Sequence, residues 1–322
     1  MTVDQKAIPV CEHDALVVGC APLCHAHVRI EMIAEGFPPS APGQFVQICC
    51  HEAEEPEPRM FNWSDEDIAA LRSMRDWTDG ATYLRRPFSI ADRWEDSQGR
   101  THLVVISRNV GPGTAWLEHL KEGARIDLIG PLGQGFRIPP DDRMLILVGG
   151  GVGIPPLLYL TRDLHHAGKR NVIMIFGATR RDILPVRLLN EPTTDGMPTL
   201  CVDSGTPGEY PAAITTDDGS LGLHGVVTDA IRAFAPTCRS ASAERPLVLT
   251  CGPEGMLHAV AELSREMQWD CQMCIERKMG CGMGTCLSCI VRVHDPEKES
   301  GWRWALTCKD GPVFDRDDLL ES

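Results

Sequence analysis

The pattern of apolar and polar positions divides the chain into two parts. Over the first 140 residues, short runs of alternating apolar and polar side chains are separated by turns rich in glycine and proline. Such spacing is typical of an antiparallel β-barrel, and one helix is predicted within it, at Thr114–Leu120. The predicted strands are Ala15–Val18, His27–Ile33, Gln44–Cys49, Phe88–Ala91, Thr101–Arg108 and Arg125–Ile129.

From Arg143 onward the apolar runs become continuous. Met144–Val148 is apolar throughout, as expected of a parallel strand that is buried on both faces. A helical stretch, Pro155–His166, follows it, and further buried strands are predicted at Asn171–Phe176, Thr199–Asp203 and Leu247–Thr250. Strands that alternate with helices predict an α/β unit, a doubly wound parallel sheet.

These patterns predict three parts: a barrel over residues 1–140, an α/β domain over 141–272 and a small C-terminal segment over 273–322. The stretch 51–83 fits neither pattern, since it opens with an acidic, proline-rich run over 51–58. A helix over 65–77, with Ser64 as its N-cap, is predicted to follow. A surface insertion and a lid over a ligand are both consistent with this stretch.

Composition and charge exclude several classes of function. The formal net charge of -14 and the pI near 5.2 argue against nucleic acid or an anionic membrane as a principal partner. No secretory signal and no run of the roughly eighteen apolar residues that a membrane span needs is visible. We therefore expect a cytoplasmic protein with reduced thiols, in which Cys49, Cys50 and Cys201 are small core residues.

The C-terminal segment carries the most specific motif. Cys281, Cys286 and Cys289 lie within nine residues, and eighteen residues separate Cys289 from Cys308. This spacing is typical of a plant-type [2Fe–2S] site, in which four thiolates hold two irons. Glycines between the cysteines would let the loop wrap closely around the cluster. A structural zinc site, which usually takes two short pairs of ligands, and four unrelated buried cysteines are the alternatives.

Two motifs lie at the carboxyl ends of predicted parallel strands, where open α/β sheets bind ligands. Gly149-Gly150-Gly151-Val152-Gly153 follows the first strand; it is not a G-x-G-x-x-G fingerprint, but it would permit close approach of a dinucleotide. Packing alone is the other explanation. Cys251-Gly252-Pro253 follows the last strand, and its cysteine either touches a nicotinamide edge or is simply a buried strand-end residue.

The barrel offers two weaker motifs. Arg86-Pro87-Phe88-Ser89 closes a predicted strand; its arginine could fork onto a pyrophosphate and its serine could meet a flavin ring nitrogen. Arg108 ends another strand, and Gly111–Thr114 leads from it into a helix. The start of that helix is either an anion site or an N-capping turn.

Taken in order, these segments resemble the ferredoxin–NADP reductase superfamily, which combines R-x-[YF]-[ST], G-G-x-G-[IV]-x-P and C-G-P motifs. Further segments resemble one branch of it, the electron-transfer subunits of NAD-linked dihydroorotate dehydrogenases. They are Gly130–Phe136, Thr216–Ser220, Glu276–Gly282 and Cys308–Phe314. The resemblance covers nearly the whole chain apart from 51–83.

The resemblance implies an FAD-binding barrel, an NAD-binding domain and a [2Fe–2S] segment. It implies that Arg86 meets the FAD pyrophosphate, and that Ser89 at the flavin ring and Cys251 at the nicotinamide are the catalytic positions. Pro112 stands where relatives often carry lysine, so a phosphate contact there is not expected. The implied FAD-binding residues are Arg86, Pro87, Phe88, Ser89, Ile106, Ser107, Arg108, Gly113 and Thr114; those for NAD are Gly149, Gly150, Gly151, Gly153, Cys251, Gly252 and Pro253; the cluster ligands are Cys281, Cys286, Cys289 and Cys308.

The implied function is electron transfer in pyrimidine biosynthesis. A hydride carries two electrons and a [2Fe–2S] cluster accepts one at a time, so a flavin must stand between them. The resemblance implies an FMN-containing dihydroorotate dehydrogenase catalytic subunit as partner, in a heterotetramer of two copies of each chain. Alternatives are a sulfide dehydrogenase or NADH–ferredoxin transhydrogenase subunit, whose first cluster ligand is often Asp, an oxygenase reductase, and a redox sensor. The sequence does not decide between NADH and NADPH, since Arg180-Arg181 would suit a 2′-phosphate whereas the family implies NADH.

Overall fold

The structure is a computed structural model, and it describes residues 10–51, 84–203, 210–237 and 244–320. The helix predicted over 65–77 lies outside the described residues, as does all of the 51–83 stretch except His51. Among the helices of these described ranges, none is long and apolar enough to cross a membrane.

The N-terminal sheet is the predicted antiparallel barrel, curled into a half-barrel. Its order is β4-β3-β7-β1-β2-β6-β5, and every neighbouring pair is antiparallel. Side chains alternate along it, so that Val46, Ile48 and Leu128 join the barrel core with Leu117 of the following helix. The elements are β1 (Cys11–Cys24), β2 (His27–Ile33), β3 (Phe45–Ile48), β4 (Arg86–Ser89), β5 (Asp92–Glu95), β6 (Thr101–Arg108), α1 (Pro112–Glu118) and β7 (Arg125–Leu132).

The second large sheet is mainly parallel, as the continuous apolar runs predict. Its order is β13-β12-β9-β8-β14-β15-β18, and only the β15–β18 pair is antiparallel. Helix α2 packs on one face of the sheet, and α3 and α4 pack on the other. The elements are β8 (Leu145–Gly150), α2 (Ile154–His166), β9 (Val172–Ala178), β10 (Arg187–Leu188), β11 (Val202–Asp203), β12 (Ala212–Thr216), β13 (Leu223–His224), α3 (Val227–Phe234), β14 (Leu247–Cys251), α4 (Glu254–Glu266), β15 (Asp270–Cys274), β16 (Ile290–His294), β17 (Trp302–Leu306) and β18 (Val313–Asp315).

The strand predicted at Thr199–Asp203 is wrong as a member of this sheet. Only Val202–Asp203 is extended there, and it pairs antiparallel with Arg187–Leu188 in a separate ribbon. The parallel strand next to β9 is Ala212–Thr216, which is buried along its whole length. Two threonines at its end weaken the apolar signal of that strand.

The C-terminal segment is joined to both sheets. Strand β15 spans the predicted boundary between residues 272 and 273, and β18 pairs with it at the edge of the parallel sheet. The hairpin β16–β17 fills the interval between Cys289 and Cys308. Toward the barrel, the backbone N–H of Gln134 donates to the Gly311 carbonyl at 2.6 Å. The loop that carries three of the four motif cysteines is therefore held against the barrel.

Candidate functional site

The loop between β15 and β16 carries Cys281, Cys286 and Cys289. Gly282 and Gly284 have φ angles of 73° and 92°, in the left-handed region that favours glycine. Leu287, an exposed non-glycine residue, has a φ of 57°. The loop therefore winds tightly enough to direct its backbone amides inward, as the glycine spacing predicts.

Backbone N–H groups of the loop point at sulfur atoms. The amides of Met283, Thr285 and Cys286 lie 3.4, 3.3 and 3.4 Å from Cys281 Sγ, and the Cys281 amide lies 3.4 Å from Cys286 Sγ. Hydrogen bonds from N–H groups stabilise a thiolate over a thiol. The loop is thus arranged around negatively charged sulfur.

The thiols of this site differ in acidity. The Ser288 hydroxyl, 3.2 Å from Cys286 Sγ, together with backbone N–H groups, lowers the pKa of Cys286 to about 6. Burial, followed by the hydrogen bond with the Cys289 thiol, raises the pKa of Cys308 to about 12. Cys286 is exposed, whereas Cys289 and Cys308 are buried. The four therefore form an outer pair, Cys281 and Cys286, and an inner pair, Cys289 and Cys308.

This arrangement fits two irons better than one zinc. A [2Fe–2S] cluster needs two thiolates for each of two metals, and the sulfurs form two hydrogen-bonded pairs without a disulfide between them. Within the ranges that the structure describes, no group of three or more His, Cys, Asp or Glu side chains is placed to hold a single metal ion. The zinc alternative finds no support here.

The flavin motif coincides with strand β4, and its two arginines have different surroundings. Arg85 Nη2 donates to Glu12 Oε1 at 2.8 Å and also forms an ion pair with Asp127. Arg86 Nη1 donates to the Leu84 carbonyl at 3.0 Å, and among the described residues it has no carboxylate partner. Arg86 is therefore the arginine that is available to bind a phosphate.

The second predicted flavin segment, Ile106–Arg108, ends strand β6. The Ser107 hydroxyl is buried without a hydrogen-bond partner in the described part of the chain, whereas Arg108 is exposed. At the start of α1, Thr114 Oγ1 accepts hydrogen bonds from the amides of Val110 and Gly111, at 2.9 and 3.1 Å. Thr114 thus caps its own helix, and its contact with FAD, like that of the buried Gly113, stays a prediction.

A cleft of about 330 Å³ opens at the carboxyl ends of the parallel strands, where the glycine-rich motif predicts a dinucleotide. Of the predicted NAD-binding residues, Gly150, Gly151 and Pro253 line it. Arg108, predicted for FAD, also reaches this cleft from the barrel. The nucleotide cleft and the flavin segment therefore adjoin each other.

The remaining glycines of the two motifs serve packing. A Cβ on Gly153 would lie 2.2 Å from the Cys251 carbonyl oxygen, and one on Gly149 would lie 3.0 Å from Ile154 and Leu157. One on Gly252 would lie 2.5 Å from Met256 Cε. The close approach of helix to strand, rather than ligand contact, accounts for these positions.

Cys251 is placed differently from the prediction. It lies opposite Cys274 in the β14–β15 pair and does not line the 330 Å³ cleft. The hydrogen bond between the two thiols, together with burial, raises the pKa of Cys251 well above its usual range. Its thiol is therefore neutral, and its contact with nicotinamide stays a prediction.

Several cleft residues escaped the sequence reasoning. Gly177, Thr215, Asp217 and Met256 line the cleft from three different strands and helices. The one available signal was the carboxyl-end position of Asp217, directly after an apolar strand, where an acidic residue can accept a ribose hydroxyl. That signal was lost because strand β12 itself was not predicted.

The comparisons with known proteins agree with this geometry. Residues 276–320 match a family described as the iron–sulfur cluster binding domain of dihydroorotate dehydrogenase B. The electron transfer subunit of dihydroorotate dehydrogenase B (NAD(+)) from Caldanaerobacter subterraneus subsp. tengcongensis is 34% identical over 241 residues, which are 75% of this chain and 83% of that protein. This chain belongs to that family. The same subunit from Geobacillus thermodenitrificans is 32% identical over 276 residues, 85% of this chain and 84% of that one, so the predicted resemblance is confirmed.

Solved structures support the same fold. The NADH-dependent reduced ferredoxin–NADP oxidoreductase superposes with a TM-score of 0.67 at 26% identity, covering 95% of this chain and 89% of that one. The cytochrome P450 reductase GcoB of Amycolatopsis has a TM-score of 0.54 at 22% identity, with 82% and 69% covered. The second likeness concerns the fold alone.

Proposed function

We propose that this chain relays electrons between NAD(H) and the FMN of a dihydroorotate dehydrogenase catalytic subunit, through FAD and a [2Fe–2S] cluster, in pyrimidine biosynthesis. The family supports the assignment, since its members are electron transfer subunits. The chain is then an oxidoreductase subunit without a dihydroorotate site of its own.

The observation that carries the proposal is the position of Phe45. Phe45 lies opposite Ser89 in the β3–β4 pair, and its side chain packs in one apolar cluster with Cys289 and Cys308. The flavin strand and two of the cysteines are therefore separated by a single residue of β3. Electrons that arrive at a flavin on β4 would have a short way to the cluster.

The chain's own residues would divide the work as follows. Arg86 would hold the FAD pyrophosphate and Ser89 would face the flavin ring; the four cysteines would hold the cluster, and Gly151 would admit the dinucleotide. When bound, FAD supplies the exchange between two-electron and one-electron steps, and the cluster supplies the one-electron step. The domain limits at residues 140 and 272 and the doubly wound class of the parallel sheet belong to the same proposal.

The partner would dock beside the cluster. Met283, Leu287, Ile290 and Trp304 are exposed apolar residues on the cluster loop and the β16–β17 hairpin. An apolar patch of this kind next to a redox centre suits a protein interface. Met279, a further candidate on sequence grounds, is instead packed against Phe45 and Leu132. We propose a heterotetramer of two copies of each chain, in the cytoplasm.

A ferredoxin-linked reductase is the second candidate, because the structure of the NADH-dependent reduced ferredoxin–NADP oxidoreductase is similar along 95% of this chain. In that case reduced ferredoxin, rather than dihydroorotate with its FMN subunit, would supply electrons to the isolated chain. An assay with ferredoxin alone would reveal this activity.

The first test is the cofactor content of the purified protein. We expect one FAD and two irons per chain, and reduction of artificial acceptors by NADH. Cys286→Ser should lose the iron and keep the FAD, because the thiolates and Arg86 lie on different elements. Metal analysis and the flavin spectrum measure both losses, and simultaneous loss of FAD and iron would contradict the assignment.

A further inference from the structure

Gln47 in strand β3 is a buried amide without a partner. Its side chain is fully buried, and neither Nε2 nor Oε1 has a hydrogen-bond partner in the described residues. A buried amide normally finds partners for its donor and acceptor, because leaving them unpaired costs the free energy of their lost hydration. Gln47 therefore lacks a group that the protein alone does not provide.

The other buried glutamines of the described ranges do have partners. Gln44 Oε1 accepts from the Ala41 amide at 2.8 Å, and its Nε2 donates to the Gly133 carbonyl at 2.7 Å. Gln272 exchanges two hydrogen bonds with the backbone of Arg137, both at 2.9 Å. The fold thus satisfies its structural glutamines, which makes the exception at Gln47 informative.

The amide of Gln47 lies beneath the cluster loop. A Cβ on Gly282 would meet Gln47 Nε2 at 2.4 Å and Gln47 Cγ at 2.6 Å, so the absence of a side chain on Gly282 makes room for the amide. Gly282 follows the ligand candidate Cys281 directly. On the other side, Gln47 faces Pro87 of the flavin strand in the β3–β4 register.

We propose that Gln47 is a positioning residue whose Nε2 donates a hydrogen bond to a sulfur of the cluster site, and that it sets the reduction potential of the cluster. The inference rests on the proposed function, since it requires the cluster. The donor set agrees with it: thiolate and sulfide sulfurs only accept, and a carboxamide N–H is a donor that carries no charge. The second nearest candidate, a flavin on β4, would be reached past Pro87, which offers no N–H.

A hydrogen bond to a cluster sulfur stabilises the more negative, reduced cluster and so raises its reduction potential. Without it, the equilibrium for electron transfer from flavin to cluster moves back toward the flavin. We expect a change of roughly tenfold in the equilibrium constant of cluster reduction, which corresponds to about 59 mV for a one-electron couple.

The test compares Gln47→Met, which keeps the length of the side chain and removes its polar groups, with the same substitution at Gln272. Redox titration monitored by electron paramagnetic resonance gives the cluster potential, flavin absorbance gives the flavin potential, and thermal unfolding is measured on the cluster-free protein. Gln47→Met should lower the cluster potential, alter the signal of the reduced cluster and leave the melting temperature unchanged or higher. Gln272→Met should lower the melting temperature and leave the cluster potential unchanged.

Three results would overturn the proposal: an unchanged cluster potential, a shift confined to the flavin, or a melting temperature that falls as it does in Gln272→Met. Loss of iron from a Gln47→Met protein that still folds normally would support the contact. If Gln47→Met does not fold, Gln47→Leu replaces it in the same titration. A wild-type protein without iron would instead refute the proposed function, so the two failures are distinguishable.

Discussion

Arg85 and Arg86 are neighbours in sequence, but their side chains have different tasks. Arg85 is held between Glu12 and Asp127, which joins the start of the flavin strand to β1 and β7. Arg86 bonds only a backbone carbonyl among the described residues. The pair therefore offers a matched comparison between a structural arginine and a ligand-binding one.

Arg86→Ala should weaken FAD binding by about 2–4 kcal/mol, since a charge-assisted contact with a phosphate would be lost while the phosphate stays in place. The iron content should stay the same. Arg85→Ala serves as the control and should lower the stability of the protein with a smaller effect on FAD. Equilibrium dialysis of FAD measures the difference, and equal FAD affinity in wild type and Arg86→Ala would refute the assignment.

Asp217 determines coenzyme choice in this account. Its carboxylate lines the nucleotide cleft, whereas Arg180 and Arg181 form ion pairs with Asp182 and Glu191 and do not line it. A carboxylate accepts a hydrogen bond from the ribose 2′-hydroxyl and repels a 2′-phosphate. We therefore expect the protein to prefer NADH.

Asp217→Asn should raise the ratio of kcat/KM for NADPH over NADH roughly tenfold, since a hydrogen bond to a charged group is lost and the repulsion is relieved. Asp218→Asn is the control, because the Asp218 carboxylate accepts the Ser220 amide at 3.0 Å and does not line the cleft. Steady-state kinetics with an artificial acceptor measures the ratio. A preference for NADPH in the wild type would contradict the assignment.

At the scale of elements, the junction between β8 and α2 shows why consecutive glycines are needed. Gly153 lets the helix start against the Cys251 carbonyl, and Gly151, with a φ of 52°, turns the chain beside the cleft. No atom lies within 4 Å of a Cβ built on Gly151. One glycine thus serves packing and the other serves conformation and access.

Gly153→Ala should lower the free energy of unfolding by ~3 kcal/mol, the upper end of the range for overpacking, because the new methyl group meets backbone that cannot yield easily. Gly151→Ala should cost about 1–2 kcal/mol for its left-handed conformation and should raise the KM for NADH. Denaturant unfolding and NADH kinetics separate the two effects. A greater loss of stability from Gly151→Ala would reverse these roles.

The same elements show how far the sequence could predict the structure. Strands such as Thr101–Arg108 and the cysteine spacing were readable because their signals are local. Strand β12 was missed, and Thr199–Asp203 was assigned instead, because burial between β9 and β13 comes from distant parts of the chain. For the same reason no pattern in the sequence distinguishes Gln47, whose importance depends on its contact with Gly282.

At the scale of the whole molecule, three sites follow one another. The nucleotide cleft adjoins Arg108 of the barrel, the flavin strand pairs with β3, and β3 packs against Cys289 and Cys308. The cluster loop ends at exposed apolar side chains, including Leu287 and Trp304. This sequence of contacts supports a relay whose last step leaves the chain.

The most direct test of the relay is NAD⁺ reduction by dihydroorotate in a mixture with the FMN-containing catalytic subunit. The chain alone should not oxidise dihydroorotate, and the catalytic subunit alone should not reduce NAD⁺. The mixture should do both, and Cys286→Ser should abolish NAD⁺ reduction in the mixture. Dihydroorotate oxidation by the isolated chain, or no NAD⁺ reduction by a mixture whose chains carry FAD and iron, would contradict the account.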